Sequence, residues 1–289
     1  MTPSSQFQKL LDIFPRYVHE YLQNIPRTGG MLSTKHCRAV MDALHISAEI
    51  LMQRLLPIAK LYCATAISDF QVGAVAKAGM TDNTGDVALF LGANIEFPAQ
   101  ALTQTIHAEQ SAIINAWLQG ATRIDGIAVT TAPCGYCRQF LYELDGRENL
   151  KIILDDQIGG KTMHHGLLDL LPAAFRPHEL GSATGLMASP THLAALNLKS
   201  HSDDPFVLEA KAAAQYTYAP YTQNLAGCVL KTNDGKKFAG RYAENAAFNP
   251  SLTALHTAII RMVMDRPGSE TSIRRAVLVE RPTSISQRP

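Results

Sequence analysis

Two short runs of residues in the first half of the chain have the types and spacing needed to bind a transition metal. His107-Ala108-Glu109 offers one imidazole, and Cys134-Gly135-Tyr136-Cys137 offers two thiols, with Cys134 27 positions after the histidine. Imidazole and thiolate are usual zinc ligands, and three protein ligands leave the fourth tetrahedral position open, which is typical of a catalytic zinc site. We therefore predict that His107, Cys134 and Cys137 bind zinc.

Each run has another interpretation when it is taken alone. A Cys-x-x-Cys pair at a helix start is as typical of a thiol–disulfide site, and a lone histidine at a helix start is more often a satisfied surface or core residue. The spacing between the runs leaves room for one helix, one loop and one strand, so both helices can begin at the same edge of a sheet. Their N-termini would converge there and favour thiolates, which makes the combination more specific for zinc than either run.

The charge of this site indicates hydrolytic chemistry. Two thiolates and a neutral imidazole balance the charge of Zn²⁺, so water bound to the metal should ionise near neutral pH. Glu109 lies in the same helical turn as His107 and either complements the helix dipole or shuttles protons beside that water; we favour the shuttle. Arg138 either donates a hydrogen bond to a ligand sulfur or lies on the helix surface.

The composition is typical of a globular protein in a reducing compartment. The 289 residues are 46% hydrophobic and 18% charged, with a formal net charge of +1. No basic stripe, apolar span or signal peptide is visible, so we expect a cytoplasmic protein that binds neither nucleic acid nor membrane. The five cysteines form no disulfide framework, and we expect Cys37, Cys63 and Cys228 to be inert core residues.

Hydrophobic periodicity predicts that both runs begin helices of one α/β domain. The first ~45 residues are predicted to form a helical segment, and residues 51–66 form an amphipathic helix that Pro57 interrupts. The region that follows alternates strands and helices, as in a sheet flanked by helices. Its predicted elements are strands over 72–76 and 87–91 joined by a turn at 81–85, a helix over 107–119, a strand over 127–131, a helix over 133–144 and a strand over 150–154.

A second copy of part of this layout is predicted after about residue 202. Glycine, turn and helix-start signals recur there in the same order, although chance similarity is an alternative. Thr253-Ala254-Leu255 stands in place of the histidine run, and no Cys-x-x-Cys follows. We therefore interpret the second half as a duplicate that lost its metal and its carboxylate. The paired runs are 67–75 with 221–230, 92–96 with 240–244, and 111–114 with 257–260.

The two runs match H-x-E…P-C-x-x-C, the motif of zinc-dependent base deaminases. Together with Gly92-Ala-Asn94-Ile-Glu96-Phe97, they resemble the cytidine deaminase family, and specifically its long homodimeric bacterial type. The resemblance covers about residues 59–180 and resumes near residue 218. It also takes in the strings Leu171-Pro-Ala-Ala-Phe175-Arg-Pro and Tyr242-Ala-Glu-Asn-Ala-Ala-Phe248-Asn-Pro.

This resemblance implies a fold, a reaction and a cofactor. The fold would be a duplicated three-layer α/β/α cytidine deaminase-like sheet with an N-terminal helical segment. The reaction would be hydrolytic deamination of cytidine and 2′-deoxycytidine, with release of ammonia, in pyrimidine salvage. Each subunit of a homodimer would hold one zinc ion. The expected division is a helical segment over 1–46, a catalytic domain over 47–180, a linker over 181–201 and a degenerate domain over 202–289.

The resemblance also assigns residues to the substrate. Asn94 and Glu96 would hold the ribose 3′-hydroxyl, and the Glu96 carboxylate would repel a 5′-phosphorylated or polymeric substrate. Phe70 would form an aromatic wall for the pyrimidine, with plain core packing as its alternative. Phe175 and Phe248 would be offered to the pocket across the dimer interface.

Two departures from the family pattern bear on these expectations. Ala132 stands where the family usually has threonine, so a backbone contact there would survive and a hydroxyl contact would not. The tail over 281–289 is shorter than the strand and helix usual for this type, so we expect a clipped second domain.

Three other functions compete with this interpretation. A zinc deaminase of another base, nucleotide or nucleic acid is disfavoured by the even charge and by the Asn94 and Glu96 pair. A non-catalytic zinc protein would need a fourth protein ligand, for which His164 and His165 are poor candidates. A thiol oxidoreductase would not retain zinc.

Overall fold

The computed structural model describes residues 5–80, 87–155, 162–188, 195–267 and 272–288, so the predicted turn at 81–85 lies outside the described residues. The helices are α1 (Ser5–Leu11), α2 (His19–Leu22), α3 (Thr34–Leu44), α4 (Ala48–Lys60), α5 (Ala108–Leu118), α6 (Gly135–Leu141), α7 (Leu167–Leu170), α8 (Pro205–Gln215) and α9 (Ala254–Met264). The strands are β1 (Met31–Leu32), β2 (Gly73–Gly79), β3 (Val87–Ala93), β4 (Arg123–Val129), β5 (Lys151–Asp155), β6 (Thr162–Gly166), β7 (Ala226–Thr232), β8 (Lys237–Arg241) and β9 (Ile273–Glu280).

The first half of the chain forms a six-stranded sheet in the order β1-β3-β2-β4-β5-β6. Its pairs are antiparallel except β4 with β5, which run parallel. Gly73 faces α4, where a Cβ would overlap with the Leu56 carbonyl, and Gly92 faces α5 at Ala108 and Ala112. Because Gly92 pairs with the residue next to Gly73, the two glycines face opposite sides. The sheet therefore lies between α4 and α5.

The second half repeats this arrangement on a smaller, three-stranded sheet in the order β8-β7-β9. Gly227 packs against α8 at Ala210, and Gly240 packs against α9 at Ala254 and Ala258. Gly240 pairs with the neighbour of Gly227, so α8 and α9 also lie on opposite faces. The duplicated three-layer α/β/α fold is thereby confirmed, and strands equivalent to β5 and β6 are absent from the described part of the second half.

The two halves pack together through α5 and α9. Residues Ala108–Trp117 of α5 are all buried, because α5 contacts β2 and β3 on one side and α9 on the other. A helix covered on both sides needs no polar face. Arg261 of α9 donates a hydrogen bond to Asn115 Oδ1 of α5 at 2.9 Å, within this contact.

The N-terminal segment is helical, but it also adds β1 to the main sheet, which the sequence did not predict. β1 pairs with β3 at Leu89 and Phe90, and the Gly30 carbonyl accepts a hydrogen bond from the Leu91 amide at 2.8 Å. The expected interruption at Pro57 is wrong, because α4 continues to Lys60. The burial of Leu55, Leu56, Ile58 and Ala59 outweighs the backbone bond that a proline removes.

Some helix boundaries also differ from the prediction. The helix predicted over 133–144 spans Gly135–Leu141, with Cys134 as its N-cap residue. The strand β6 was not predicted; it pairs with β5 and is exposed at Thr162, Met163 and His164. No helix in the described part of the chain is long and apolar enough to cross a membrane.

Candidate active site

The three expected zinc ligands lie at two neighbouring helix starts. His107 is the N-cap residue of α5, Cys134 is that of α6, and Cys137 lies in the first turn of α6. Their donor atoms all lie within 4.8 Å of one another, and among the described residues this is the group that could hold a metal. His107 Nδ1 is 3.6 Å from Cys134 Sγ. Tetrahedral Zn–N and Zn–S bonds place such atoms about 3.5 Å apart, so the donors fit zinc.

The protonation of the cysteines also suits a metal. Hydrogen bonds from Cys137 and His107 lower the pKa of Cys134 to about 3. The hydrogen bond to Cys134 and burial raise the pKa of Cys137, so without a metal the pair keeps one proton. The hydrogen bond with Cys134 also raises the pKa of His107. A divalent cation would displace these protons, since zinc binds thiolate and neutral imidazole.

Glu109 lines a cavity of about 390 Å³ beside the candidate metal donors. It is only 3% exposed, and burial raises its pKa above the ordinary value for glutamate. A carboxyl group whose pKa is moved toward neutrality can both accept and release a proton near neutral pH. His107 and Cys134 line the same cavity.

The same cavity is also lined by the three residues expected to contact substrate. Phe70, Asn94 and Glu96 all line it. Phe70 is 61% exposed, which argues against plain core packing. The structure thus brings together, in one chain, all the expected site residues of the first domain except Phe175.

Asn94 and Glu96 already hold the loop that carries Phe70. Asn94 Oδ1 accepts a hydrogen bond from the Val72 amide at 2.9 Å, and its Nδ2 donates to the Phe70 carbonyl at 2.8 Å. Glu96 accepts hydrogen bonds from the amides of Ile67 (2.7 Å) and Ser68 (3.0 Å) and from the Ser68 hydroxyl. Partial burial raises the pKa of Glu96, but these bonds outweigh it and lower the pKa overall.

Phe175 and Phe248 are not brought to the cavity by their own chain. They are 44% and 56% exposed, respectively, and neither lines the cavity. Phe248 has a positive φ of 60°, which is costly for a bulky residue. Both side chains are therefore available to another surface.

Arg138, His164 and His165 take no part in the donor group. Arg138 donates hydrogen bonds to the Pro133 carbonyl at 2.8 Å and to the Leu170 carbonyl at 2.7 Å, rather than to a sulfur. His164 and His165 lie on β6, outside the donor group. Ala132 lines the cavity.

Sequence reasoning missed two residues next to the ligands. Gln110 Oε1 accepts a hydrogen bond from the His107 amide at 3.1 Å, and the Tyr136 ring lies 5.9 Å from the His107 ring, centroid to centroid. A glutamine three residues after an N-cap residue is a capping signal that the sequence does contain. The Tyr136 contact has no such local signal.

Comparison with known proteins gives a consistent result along the chain. Residues 46–151 and residues 167–289 each match a family model described as the cytidine and deoxycytidylate deaminase zinc-binding region. The cytidine deaminase of Sodalis glossinidius is 42% identical over 272 residues, covering 90% of this chain and 84% of that protein. The cytidine deaminase of Shewanella halifaxensis is 41% identical, covering 87% and 80%. A crystal structure of cytidine deaminase from Burkholderia pseudomallei is 27% identical, with a TM-score of 0.37 over 45% of this chain and 100% of that chain.

Proposed function

The chain belongs to the cytidine and deoxycytidylate deaminase family, and on that premise we propose that it hydrolyses cytidine and 2′-deoxycytidine to uridine and 2′-deoxyuridine. Ammonia is the second product, and the role is pyrimidine salvage. The observation that carries this proposal is the cavity in which Glu109 lies beside the His107, Cys134 and Cys137 donors.

We assign one zinc ion to each subunit, held by His107, Cys134 and Cys137. When bound, zinc would supply a water molecule acidified enough to attack carbon at neutral pH. Glu109 then handles the protons. Its carboxylate accepts one proton from the attacking water and delivers it to N3 of cytosine. It then accepts the remaining proton of that water, now the hydroxyl on C4, and delivers it to the amine, so that the C4–N bond breaks, ammonia leaves and C4 becomes a carbonyl. The raised pKa of Glu109 supports both transfers.

Three other residues that line the cavity position the nucleoside. Asn94 and Glu96 hold the ribose 3′-hydroxyl, and Phe70 packs against the pyrimidine. A negative charge at Glu96 disfavours a 5′-phosphate by repulsion. The substrate is therefore a free nucleoside rather than a nucleotide or a nucleic acid. Thiolate ligands require a reducing compartment, which supports action in the cytoplasm.

We propose that residues 1–46 form a helical segment, residues 47–180 the catalytic domain, residues 181–201 a linker and residues 202–289 a degenerate copy of the catalytic domain. The enzyme acts as a homodimer in which Phe175 and Phe248 close the pocket of the partner subunit. The exposure of both side chains away from their own cavity supports this arrangement.

Mixing Glu109→Ala subunits with Phe248→Ala subunits tests the contribution across the interface. A hybrid dimer restores one complete site, so an equal mixture should regain about a quarter of the activity of the normal dimer. Each variant alone serves as the control. If the mixture is no more active than the two parents, Phe248 does not act in trans.

The proposed reaction is tested by measuring zinc content together with ammonia release from cytidine, 2′-deoxycytidine and dCMP. We expect about one zinc per chain, turnover of both nucleosides and little turnover of dCMP. A zinc-free protein would refute the proposed metal site. Preferred turnover of dCMP would refute the role given to Glu96.

A further inference from the structure

The metal-binding start of α5 is capped differently from its counterpart in the second half. In α9, the N-cap residue Thr253 accepts a hydrogen bond from the His256 amide at 3.1 Å through its side chain. In α5, the N-cap side chain of His107 faces Cys134 instead. Here the side chain three residues further along caps the helix start: Gln110 Oε1 accepts a hydrogen bond from the backbone amide of His107 at 3.1 Å.

Gln110 also reaches into the second domain. It is completely buried, and its Nε2 donates a hydrogen bond to the Pro250 carbonyl at 3.2 Å, across 140 positions of sequence. Pro250 ends a loop over residues 245–250, which we call the brace loop. One side chain thus joins the backbone of a metal ligand to the brace loop.

The same loop holds α6, which carries the other two ligands. The Tyr136 hydroxyl, in the first turn of α6, donates to the Asn249 carbonyl. Asn245 Nδ2 donates to the Gln139 carbonyl at 3.2 Å, and the Ala246 amide donates at 2.8 Å to Oε2 of Glu143, two residues beyond the end of α6. The brace loop is therefore hydrogen-bonded to both helices that present donors to the metal.

We propose that the brace loop of the second domain, acting through Gln110 and Tyr136, fixes the relative position of the two helix starts that bind zinc in its own chain. Gln110 and Tyr136 are then positioning residues for the metal centre, and the degenerate half has a task within its own subunit. This inference rests on the proposed zinc site.

A tetrahedral zinc site needs such positioning because it tolerates only small displacements of its ligands. Zinc bond lengths vary by only about 0.2 Å between sites, whereas here the ligands belong to two separate helices. The α5–α6 geometry must be held by contacts outside the ligands themselves. Loss of such outer contacts typically costs about 10–100-fold in metal affinity.

The test measures the rate at which zinc passes from the folded holoenzyme to a chromophoric chelator. Gln110→Met removes both hydrogen bonds of Gln110, whereas Gln110→Glu keeps the acceptor for His107 and loses the donor to Pro250. Tyr136→Phe removes only the hydroxyl. We expect about tenfold faster zinc release in Gln110→Met, and faster release in the other two variants as well. The visible spectrum of the cobalt-substituted protein should change in the same variants.

Thr253→Val is the matched control, because it removes the corresponding cap from α9. It should lower the melting temperature and leave zinc release unchanged. Unchanged release in Gln110→Met and Tyr136→Phe would overturn the inference, as would equal acceleration in Thr253→Val. Normal release in Gln110→Glu would overturn the role of the Pro250 bond. A wild-type protein without zinc would instead refute the proposed function. Should Gln110→Met fail to fold, Tyr136→Phe decides the question.

Discussion

The two halves of the molecule keep the same loop anchor while differing in almost every residue that could do chemistry. Glu244 accepts hydrogen bonds from the amides of Tyr221 (2.8 Å) and Thr222 (3.2 Å) and from the Thr222 hydroxyl (2.6 Å). Glu96 makes the same three bonds to Ile67 and Ser68. A carboxylate at this place is therefore required by the loop itself, with or without a substrate.

The differences lie at the positions that face the cavity. His107 and Glu109 of the first half correspond to Thr253 and Leu255, and Asn94 corresponds to Tyr242 in the pairing register. Thr253 uses its side chain to cap a helix, and Leu255 packs against the core. Framework and chemistry are thus separable in this fold. The second half retains the framework alone, which makes it an internal control for the first.

The largest effect is expected at Glu109, the position where the halves differ most in charge. Glu109→Gln should lower kcat by about 10²–10⁴-fold, because proton transfer is lost, while zinc content stays the same. Steady-state kinetics with metal analysis measures both quantities. Leu255→Ala, at the equivalent place, should leave kcat unchanged and reduce only stability. Substantial activity in Glu109→Gln would remove the chemical distinction between the halves.

The glycines at the helix contacts should give the next largest effect, and here the halves should agree. Gly92→Ala and Gly240→Ala each place a methyl group against the backbone of the adjoining helix. Each should lower the free energy of unfolding by about 3 kcal/mol through overpacking, as measured by chemical denaturation. Gly92→Ala should also lower kcat more than Gly240→Ala does, because it displaces α5 and Glu109 directly. Equal loss of kcat in both variants would mean that the halves are not separable.

Replacing the loop-anchoring carboxylate should have a smaller effect, and it should change KM in the first half but only stability in the second. Glu244→Gln should reduce stability by about 1–2 kcal/mol, since it weakens hydrogen bonds to a buried charge, and should leave KM unchanged. Glu96→Gln should raise KM for cytidine by about tenfold, the value of one hydrogen bond to a charged group. Thermal denaturation and initial rates distinguish the outcomes. An unchanged KM in Glu96→Gln would indicate that Glu96, like Glu244, serves only its loop.

The fold class and the candidate metal donors could be predicted because their signals are local. Cys134 and Cys137 are three residues apart, and His107 begins a run with helical periodicity. β1 could not be predicted, since two residues form a strand only because Phe90 and Leu89 lie beside them. Local propensity does not contain that tertiary pairing.

The contacts around the candidate metal donors also depend on tertiary packing that local sequence does not reveal. Gln110 stands at a place that predicts a cap, yet its second partner, Pro250, is known only once the two halves are packed. Phe175 and Phe248 could be named only through the family resemblance of their sequence strings, because their exposure acquires meaning only in relation to the cavity. Sequence therefore identifies the chemistry more readily than the residues that position it.

The smallest expected effect concerns His256, the counterpart of Gln110. Burial lowers the pKa of His256 to about 4, and its Nδ1 has no hydrogen-bond partner among the residues that the structure describes. The unfolded chain, with a histidine pKa of about 6.5, binds more protons between these values. Stability is thus complete above pH 6.5 and is lost as the pH falls toward 4, by about 1 kcal/mol at pH 6.

His256→Gln places the residue of the first half at the equivalent position of the second and removes this titration. The melting temperature of the variant should fall less than that of the wild-type protein between pH 7.5 and pH 6, because a glutamine binds no proton. All other titratable groups are common to both proteins, so the difference between the two curves belongs to His256. Parallel curves would show that the His256 imidazole is hydrated in the folded state.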